Sequence, residues 1–138
     1  MAAFSLLVSL VVAIFLVGLS SQRKITSLQN AQEHGRFIME LMSKEIRMAT
    51  ITNYSSNYLD LINSRSEAIT YSFSGNKIYR GASALNPDSV GISGRFFVTG
   101  GPTSSGIKIT IVMKVSSGSG KELGEVSIQN TITPRISQ

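Results

Sequence analysis

The chain has 138 residues, a length that suits one domain with a single hydrophobic core. It contains no cysteine, which excludes disulfides, thiolate nucleophiles and zinc-thiolate sites. The net charge of +5 fits a nucleic-acid or anionic-surface partner, but the basic residues are dispersed along the chain, which favours an ordinary solvated surface.

The N-terminal segment is uniformly apolar. No charged residue occurs before Arg23, and residues 2–19 are almost all Ala, Leu, Val, Ile or Phe. About 20 such residues in a helix cross a hydrocarbon core of roughly 30 Å. No basic residue precedes the run, which argues against a secretory signal peptide. Two environments remain open for this helix: lipid, if it is a single-span membrane anchor, or a bundle of identical helices.

The next stretch, residues 23–52, is predicted to continue the helix with one apolar stripe. It lacks proline, and Gly35 is its one glycine. Apolar residues recur every three or four positions, the spacing of an amphipathic helix, at Ile25, Leu28, Phe37, Ile38, Leu41, Met42, Ile46, Met48, Ala49 and Ile51. The two segments therefore predict one helix from about residue 3 to about residue 52.

Beyond the helix, turn-forming residues predict a connecting loop over residues 53–67. From residue 68 the apolar period changes to two, which is typical of strands. The predicted strands are 68–73, 77–80, 95–99, 107–115 and 125–132, inside a sheet region of residues 68–133, and residues 81–92 receive no firm assignment.

These elements predict an α+β fold in two parts. Residues 1–22 form the apolar helix, and residues 23–138 form a globular headpiece that includes the amphipathic half of the same helix. Because each element has an apolar face, we expect the amphipathic half to lie across a four- to five-stranded antiparallel β-meander.

This layout resembles that of the type IV pilins and the type II secretion pseudopilins. Residues 4–10 are similar to the opening of the mature N-terminus in that family, and residues 34–49 are similar to the headpiece half of the helix in its longer minor members. The resemblance in motif covers about the first 50 residues, and the strands agree in layout alone.

The resemblance implies a structural subunit, not an enzyme. Such a subunit starts embedded in the inner membrane, is polymerised by the pilus assembly machinery, and ends in a cell-surface filament used for adhesion, motility or uptake. Its main partner is itself, and DNA or a host or abiotic surface is a further candidate. Two alternatives remain: a minor pseudopilin of a type II secretion system, or a single-span membrane protein whose small β-rich domain binds a partner.

The resemblance also places functional residues on the N-terminal helix. The filament core would be built from Met1, Phe4, Leu7, Leu10, Val11, Ile14 and Phe15. The family's glutamate, five residues into the mature chain, has no counterpart: Ser5 or Val8 stands there, according to whether Met1 or Phe4 is counted first. We expect Met1 to be the processed terminus and a candidate for N-methylation.

A weak point in the helix lies at Gly18. Glycine costs a helix about 1 kcal/mol relative to alanine, and the nearby Ser20 and Ser21 offer side-chain alternatives to helical hydrogen bonds. In the family, part of the N-terminal helix loses regular hydrogen bonding on assembly. Gly18, Ser20 and Ser21 are therefore candidates for local melting, and close packing of helices at Gly18 is the alternative.

Enzymatic chemistry has little support in the sequence. His34 is the one histidine and cannot form a ligand cluster by itself. Glu33, Glu40 and Glu45 are spread along the helix, where they are expected to be surface charges. Asp60, Glu67 and Asp88 lack the spacing of a calcium loop. We expect no catalytic residues, no metal and no cofactor.

Overall fold

The computed structural model describes residues 2–101 and 106–135. One helix, α1, spans Ala2–Arg47, and its 46 residues make it about 69 Å long. The strands follow in chain order as β1 Thr50–Tyr54, β2 Tyr58–Ile62, β3 Ala68–Ser74, β4 Lys77–Arg80, β5 Ser83–Ala84, β6 Val90–Thr99, β7 Lys108–Ser117 and β8 Gly124–Ile132. A 3-10 turn at Gly120–Glu122 joins the last two strands. Met1 lies outside the described residues.

The strands form two antiparallel sheets. The first sheet has the order β1-β2-β3-β4-β5, and the second sheet has the order β6-β7-β8. In the second sheet β6 and β7 pair without a shift from Val90–Ser117 to Thr99–Lys108. The α+β class and the packing of a long N-terminal helix on antiparallel strands are thus confirmed. The described residues contain more strands than the four or five expected.

The helix ends at Arg47, five residues before the predicted end at residue 52. Residues 49–53 read Ala-Thr-Ile-Thr-Asn, and β-branched side chains favour extended backbone. Ile51 is buried and pairs with Leu61 across a hairpin. The apolar stripe thus continues past Arg47 as a strand, so the helical reading of residues 48–52 was wrong.

The predicted loop over residues 53–67 was also wrong, because β1 and β2 occupy much of it. Within β2, Leu59 and Leu61 are buried while Tyr58, Asp60 and Ile62 are not, so the alternation of a strand is present in the sequence. The region 81–92, left unassigned, contains β5 and the start of β6. Between these two strands, the side chain of the buried Asn86 accepts a hydrogen bond from the N–H of Ile78 (3.0 Å) and donates one to the carbonyl of Val90 (2.5 Å). These bonds hold the segment between β5 and β6 in place.

The core lies between the second half of α1 and the second sheet. The helix buries one face, formed by Ala31, Gly35, Ile38, Met39, Met42, Ser43 and Ile46. Opposite it, β7 buries every second residue: Ile109, Ile111, Met113, Val115 and Ser117. The first sheet closes the same core with Leu59, Leu61, Tyr71 and Ile78.

The two sheets meet along β6. The N–H of Ile92 donates to the carbonyl of Asn76 (2.8 Å), and the N–H of Phe96 donates to the carbonyl of Ser56 (2.9 Å). The rings of Phe73 and Phe96 lie 5.0 Å apart and are tilted by 40°, a favourable aromatic geometry. The turns of the first sheet therefore cover the outer edge of β6.

Gly35 allows the helix to approach the second sheet closely. A Cβ atom at this position would lie 2.6 Å from Cδ1 of Ile128 and 2.9 Å from Cγ2 of Val115. Real side chains do not tolerate such distances, so any larger residue must push α1 away from β7 and β8 or displace the buried Val115.

We expect Gly35→Leu to destabilise the headpiece by about 1–3 kcal/mol through overpacking, although leucine is the better helix former. Chemical denaturation of the full chain in nonionic detergent, followed by circular dichroism, measures this. Gly18→Leu is the matched control, because a Cβ at Gly18 meets nothing within 4 Å. Equal stability of Gly35→Leu and the parent chain would show that the helix does not depend on close contact here.

Candidate assembly surface

The first half of α1 projects from the headpiece with all its sides uncovered. Residues 2–26 are exposed without exception. The predicted core residues Phe4, Leu7, Leu10, Val11, Ile14 and Phe15 have exposed fractions between 61% and 71%. This helix is long and apolar enough to cross a membrane. An apolar surface of this extent requires lipid or protein to cover it.

Three serine hydroxyls within this apolar segment donate hydrogen bonds to backbone carbonyls of the same helix. The hydroxyl of Ser5 donates to the carbonyl of Ala2 (2.9 Å), and that of Ser9 donates to the carbonyl of Ser5 (2.8 Å). Ser20 donates to the carbonyl of Val17 (3.0 Å). These bonds pair the hydroxyls of Ser5, Ser9 and Ser20, which lowers the cost of placing them in an apolar environment. Neither Ser5 nor Val8 carries a charge.

The helix is continuous through its predicted weak point. Gly18, Ser20 and Ser21 all lie within α1, and all three are exposed. In the single chain this region is helical, and the predicted melting on assembly stays a prediction.

The helix joins the headpiece near Arg23 and Ser27. Arg23 donates to Glu122 of the 3-10 turn at 3.4 Å. Next, Gly118 and Gly124 make room for the helix: a Cβ at Gly124 would lie 2.4 Å from the backbone nitrogen of Leu28. Gly118 has φ of +84° and lies against the Ser27 side chain. Because Gly124 packs directly against the helix backbone at Ser27 and Leu28, this contact sets the direction in which the free half leaves the headpiece.

At the other end of the helix, Glu45 ties α1 to the first sheet. Arg80 donates two hydrogen bonds to its carboxylate, from Nε to Oε2 (3.0 Å) and from Nη2 to Oε1 (2.7 Å). The hydroxyl of the buried Tyr71 donates to Oε2 as well. The Arg80 hydrogen bond holds the pKa of Glu45 below its ordinary value, against the opposing effect of burial. Burial, aided by Glu45, raises the pKa of Tyr71.

Glu45 was expected to be a surface charge, and the structure corrects this. Its side chain is 17% exposed and forms the ion pair with Arg80. The sequence did not reveal these contacts of Glu45, because Tyr71 and Arg80 lie 26 and 35 residues away from it in the chain. The pairing of Tyr71 opposite Arg80 in β3 and β4 places both beside the helix end, and this register was not predictable from one sequence.

A groove of about 940 Å³ runs between α1 and the edge strand β8. Met39, Val126 and Ile128 line its apolar part, and Arg36 and Glu40 stand among its polar lining. His34 lies half-exposed on the helix. Within residues 2–101 and 106–135, no three acidic or histidine side chains gather as a metal site would require.

Comparisons of the chain with protein-family models, with characterised proteins and with solved structures find no match. What the chain does is therefore inferred from its sequence and its geometry.

We expect Glu45→Gln to lower the stability of the headpiece by about 1–2 kcal/mol, since a charge-assisted pair is lost but Arg80 remains partly solvated. Because folding lowers the pKa of Glu45, its contribution is complete above the ordinary value of 4.5 and is lost as pH falls through the folded-state pKa. The difference in Tm between the parent chain and Glu45→Gln should therefore be larger at about pH 6 than at about pH 3.

Glu40→Gln is the control for this measurement. Glu40 lies exposed on the same helix and forms no ion pair within the described part of the chain. If the parent chain and Glu45→Gln melt together at both pH values, the carboxylate does not hold the helix to the first sheet.

Proposed function

We propose that this chain is a structural subunit of a type IV pilus-like filament and polymerises through its N-terminal helix. The observation that carries the proposal is the continuity of α1. Its first half exposes apolar side chains on every side, and its second half is built into the headpiece core. In the filament the free halves cover one another, and the headpieces lie outside.

Support for a polymer, as opposed to an isolated anchor, comes from the rigid connection between the two halves. A single-span protein needs only a helix and any tether, because lipid positions the anchor independently of the domain. Here the close approach of Gly118 and Gly124 to helix residues 27 and 28 sets the helix direction relative to the headpiece, and the exposed pair of Arg23 with Glu122 adds little to it. A fixed angle between helix and headpiece is what a filament subunit needs, because every subunit must make the same contacts along the filament axis.

The absence of charge from residues 2–22 also supports burial among helices. An unpaired charge in an apolar core is costly, and this segment presents none. Before assembly the same segment resides in the inner membrane, where the pilus machinery takes it up. The finished filament stands at the cell surface, in roles such as adhesion, motility or uptake.

Two alternative functions are compatible with the same apolar helix and headpiece. A minor pseudopilin of a type II secretion system would have the same helix and headpiece in a short periplasmic filament. A single-span protein with a partner-binding domain is favoured by one observation, the length and hydropathy of the N-terminal helix. The single-span protein differs in where the helix ends up, in lipid and not among copies of itself, and the pseudopilin differs in where its filament stands, in the periplasm and not at the cell surface.

We expect Val11→Asp or Ile14→Asp to abolish filaments, because a carboxylate in the packed helices has no partner. The headpiece should keep its fold, since both residues are exposed in the single subunit. Electron microscopy of material sheared from cells that express each variant counts the filaments, and circular dichroism of the purified variant checks the fold.

Phe97→Asp is the matched control, since this side chain is also apolar and exposed but lies on the face of the second sheet that is turned away from α1. Abundant filaments from the Val11 and Ile14 variants would contradict the proposed core. Loss of filaments from Phe97→Asp alone would place the assembly contact on the sheet.

We expect assembly to melt the helix locally around Gly18, with Ser20 and Ser21 pairing the freed backbone groups. Gly18→Ala should then oppose melting by about 1 kcal/mol and make the filament stiffer under force. Force spectroscopy of parent and Gly18→Ala filaments measures the extension. A filament map with unbroken helical hydrogen bonds through residues 12–26 in the parent chain would leave close packing as the role of Gly18.

A further inference from the structure

The second sheet has one face against α1 and one face that no helix or strand of residues 2–101 and 106–135 covers. The outer face is formed by the alternate residues of β6, β7 and β8 that point away from the helix. From the register, Phe97 stands beside Thr110 and Thr131 in one cross-strand row, and Arg95 stands beside Val112 and Gln129 in the next. The face is therefore an open platform three strands wide, bearing hydroxyl, amide and basic groups.

Phe97 is the exposed aromatic side chain of this platform. It is 52% exposed, whereas its neighbour Phe96 points into the core and is 3% exposed. Across the strand, the hydroxyls of Thr110 and Thr131 bond to each other at 2.9 Å. The ring thus stands in a polar setting, where a planar ligand can lie against it and meet hydrogen-bonding groups at its edge.

Two basic side chains flank Phe97 without a partner. Arg95 lies two residues away on the same strand, about 7 Å along it. Lys108 lies on the diagonal across β7, at a similar distance. Within the described residues neither forms an ion pair or a side-chain hydrogen bond, and both are exposed. Lys114, by contrast, is paired with Glu125 at 2.8 Å, so the face has a net positive charge next to the aromatic ring.

From this arrangement we propose that the outer face of the second sheet binds single-stranded nucleic acid. An exposed ring stacks on a base of any sequence, and flanking cations neutralise the adjoining phosphates. An open antiparallel sheet face allows bases to stack on its outward side chains. This binding does not depend on filament formation, because α1 takes no part in the platform.

The other classes of partner fit less well. A protein interface of ordinary size buries about 800 Å² per partner around a packed apolar centre. Among the outward residues of β6, β7 and β8, Phe97 and Val112 are the apolar groups, with polar or charged side chains around them. Duplex DNA keeps its bases stacked inside, so it would engage the cations but not the ring. The exposed Phe97 therefore selects for unstacked bases.

The test uses the full chain in nonionic detergent and a fluorescein-labelled oligothymidylate of about 15 nucleotides, with anisotropy measured over a range of salt concentrations. We expect saturable binding that weakens with salt. Phe97→Ala should weaken it roughly five- to a hundredfold, and Phe97→Tyr should retain it, since the ring is preserved. The double variant Arg95→Gln with Lys108→Gln should reduce the salt slope by about 1.4, or about 0.7 for each phosphate contact.

Two control variants match these changes in chemistry but lie off the platform. Phe37→Ala removes an equally exposed phenylalanine from the helix, and Lys121→Gln removes a cation from the 3-10 turn. Both should bind like the parent chain. The proposal is overturned if the oligonucleotide does not bind at low salt, or if Phe97→Ala binds as well as the parent. It is also overturned if duplex DNA or polyglutamate competes as well as the single strand, because the attraction would then be charge alone.

Discussion

The rest of the structure depends on the packing of α1 against the second sheet. One helix has to satisfy two environments, and it does so by changing from apolar on all sides to apolar on one face. Gly35 brings that face against β7 and β8 closely enough that no Cβ fits between them. Glu45 then fixes the end of the helix to the first sheet through Arg80 and Tyr71. The free half is consequently a direct continuation of the helix that is built into the core.

Much of this architecture could be predicted from local pattern. The absence of charge before Arg23 and the spacing of Ile38, Met42 and Ile46 indicate a helix that is first apolar and then amphipathic. Strand alternation in β7 is equally plain, because Ile109, Ile111 and Met113 follow each other at every second position. These signals depend on neighbours in sequence, and the structure agrees with them.

Features that depend on distant pairing could not be predicted. The helix end was misplaced because Ile51 fits a helical stripe as well as it fits the hairpin with Leu61 that it forms. The division into two sheets follows from contacts of β6 with the turns at Ser56 and Asn76, far apart in sequence. For the assembly surface, the exposed apolar residues could be named in advance, but the role of Glu45 required the register of β3 and β4.

Polymerisation through the N-terminal helix is tested most directly by helical reconstruction from electron cryomicrographs. The filaments would be sheared from cells that produce this chain, and mass spectrometry would identify the subunit. We predict filaments that contain this chain, with residues 4–19 of neighbouring subunits in contact along the axis and the headpieces outside. This prediction is contradicted if the chain is recovered only as a monomer from the membrane fraction, or if the filaments place these helices away from one another.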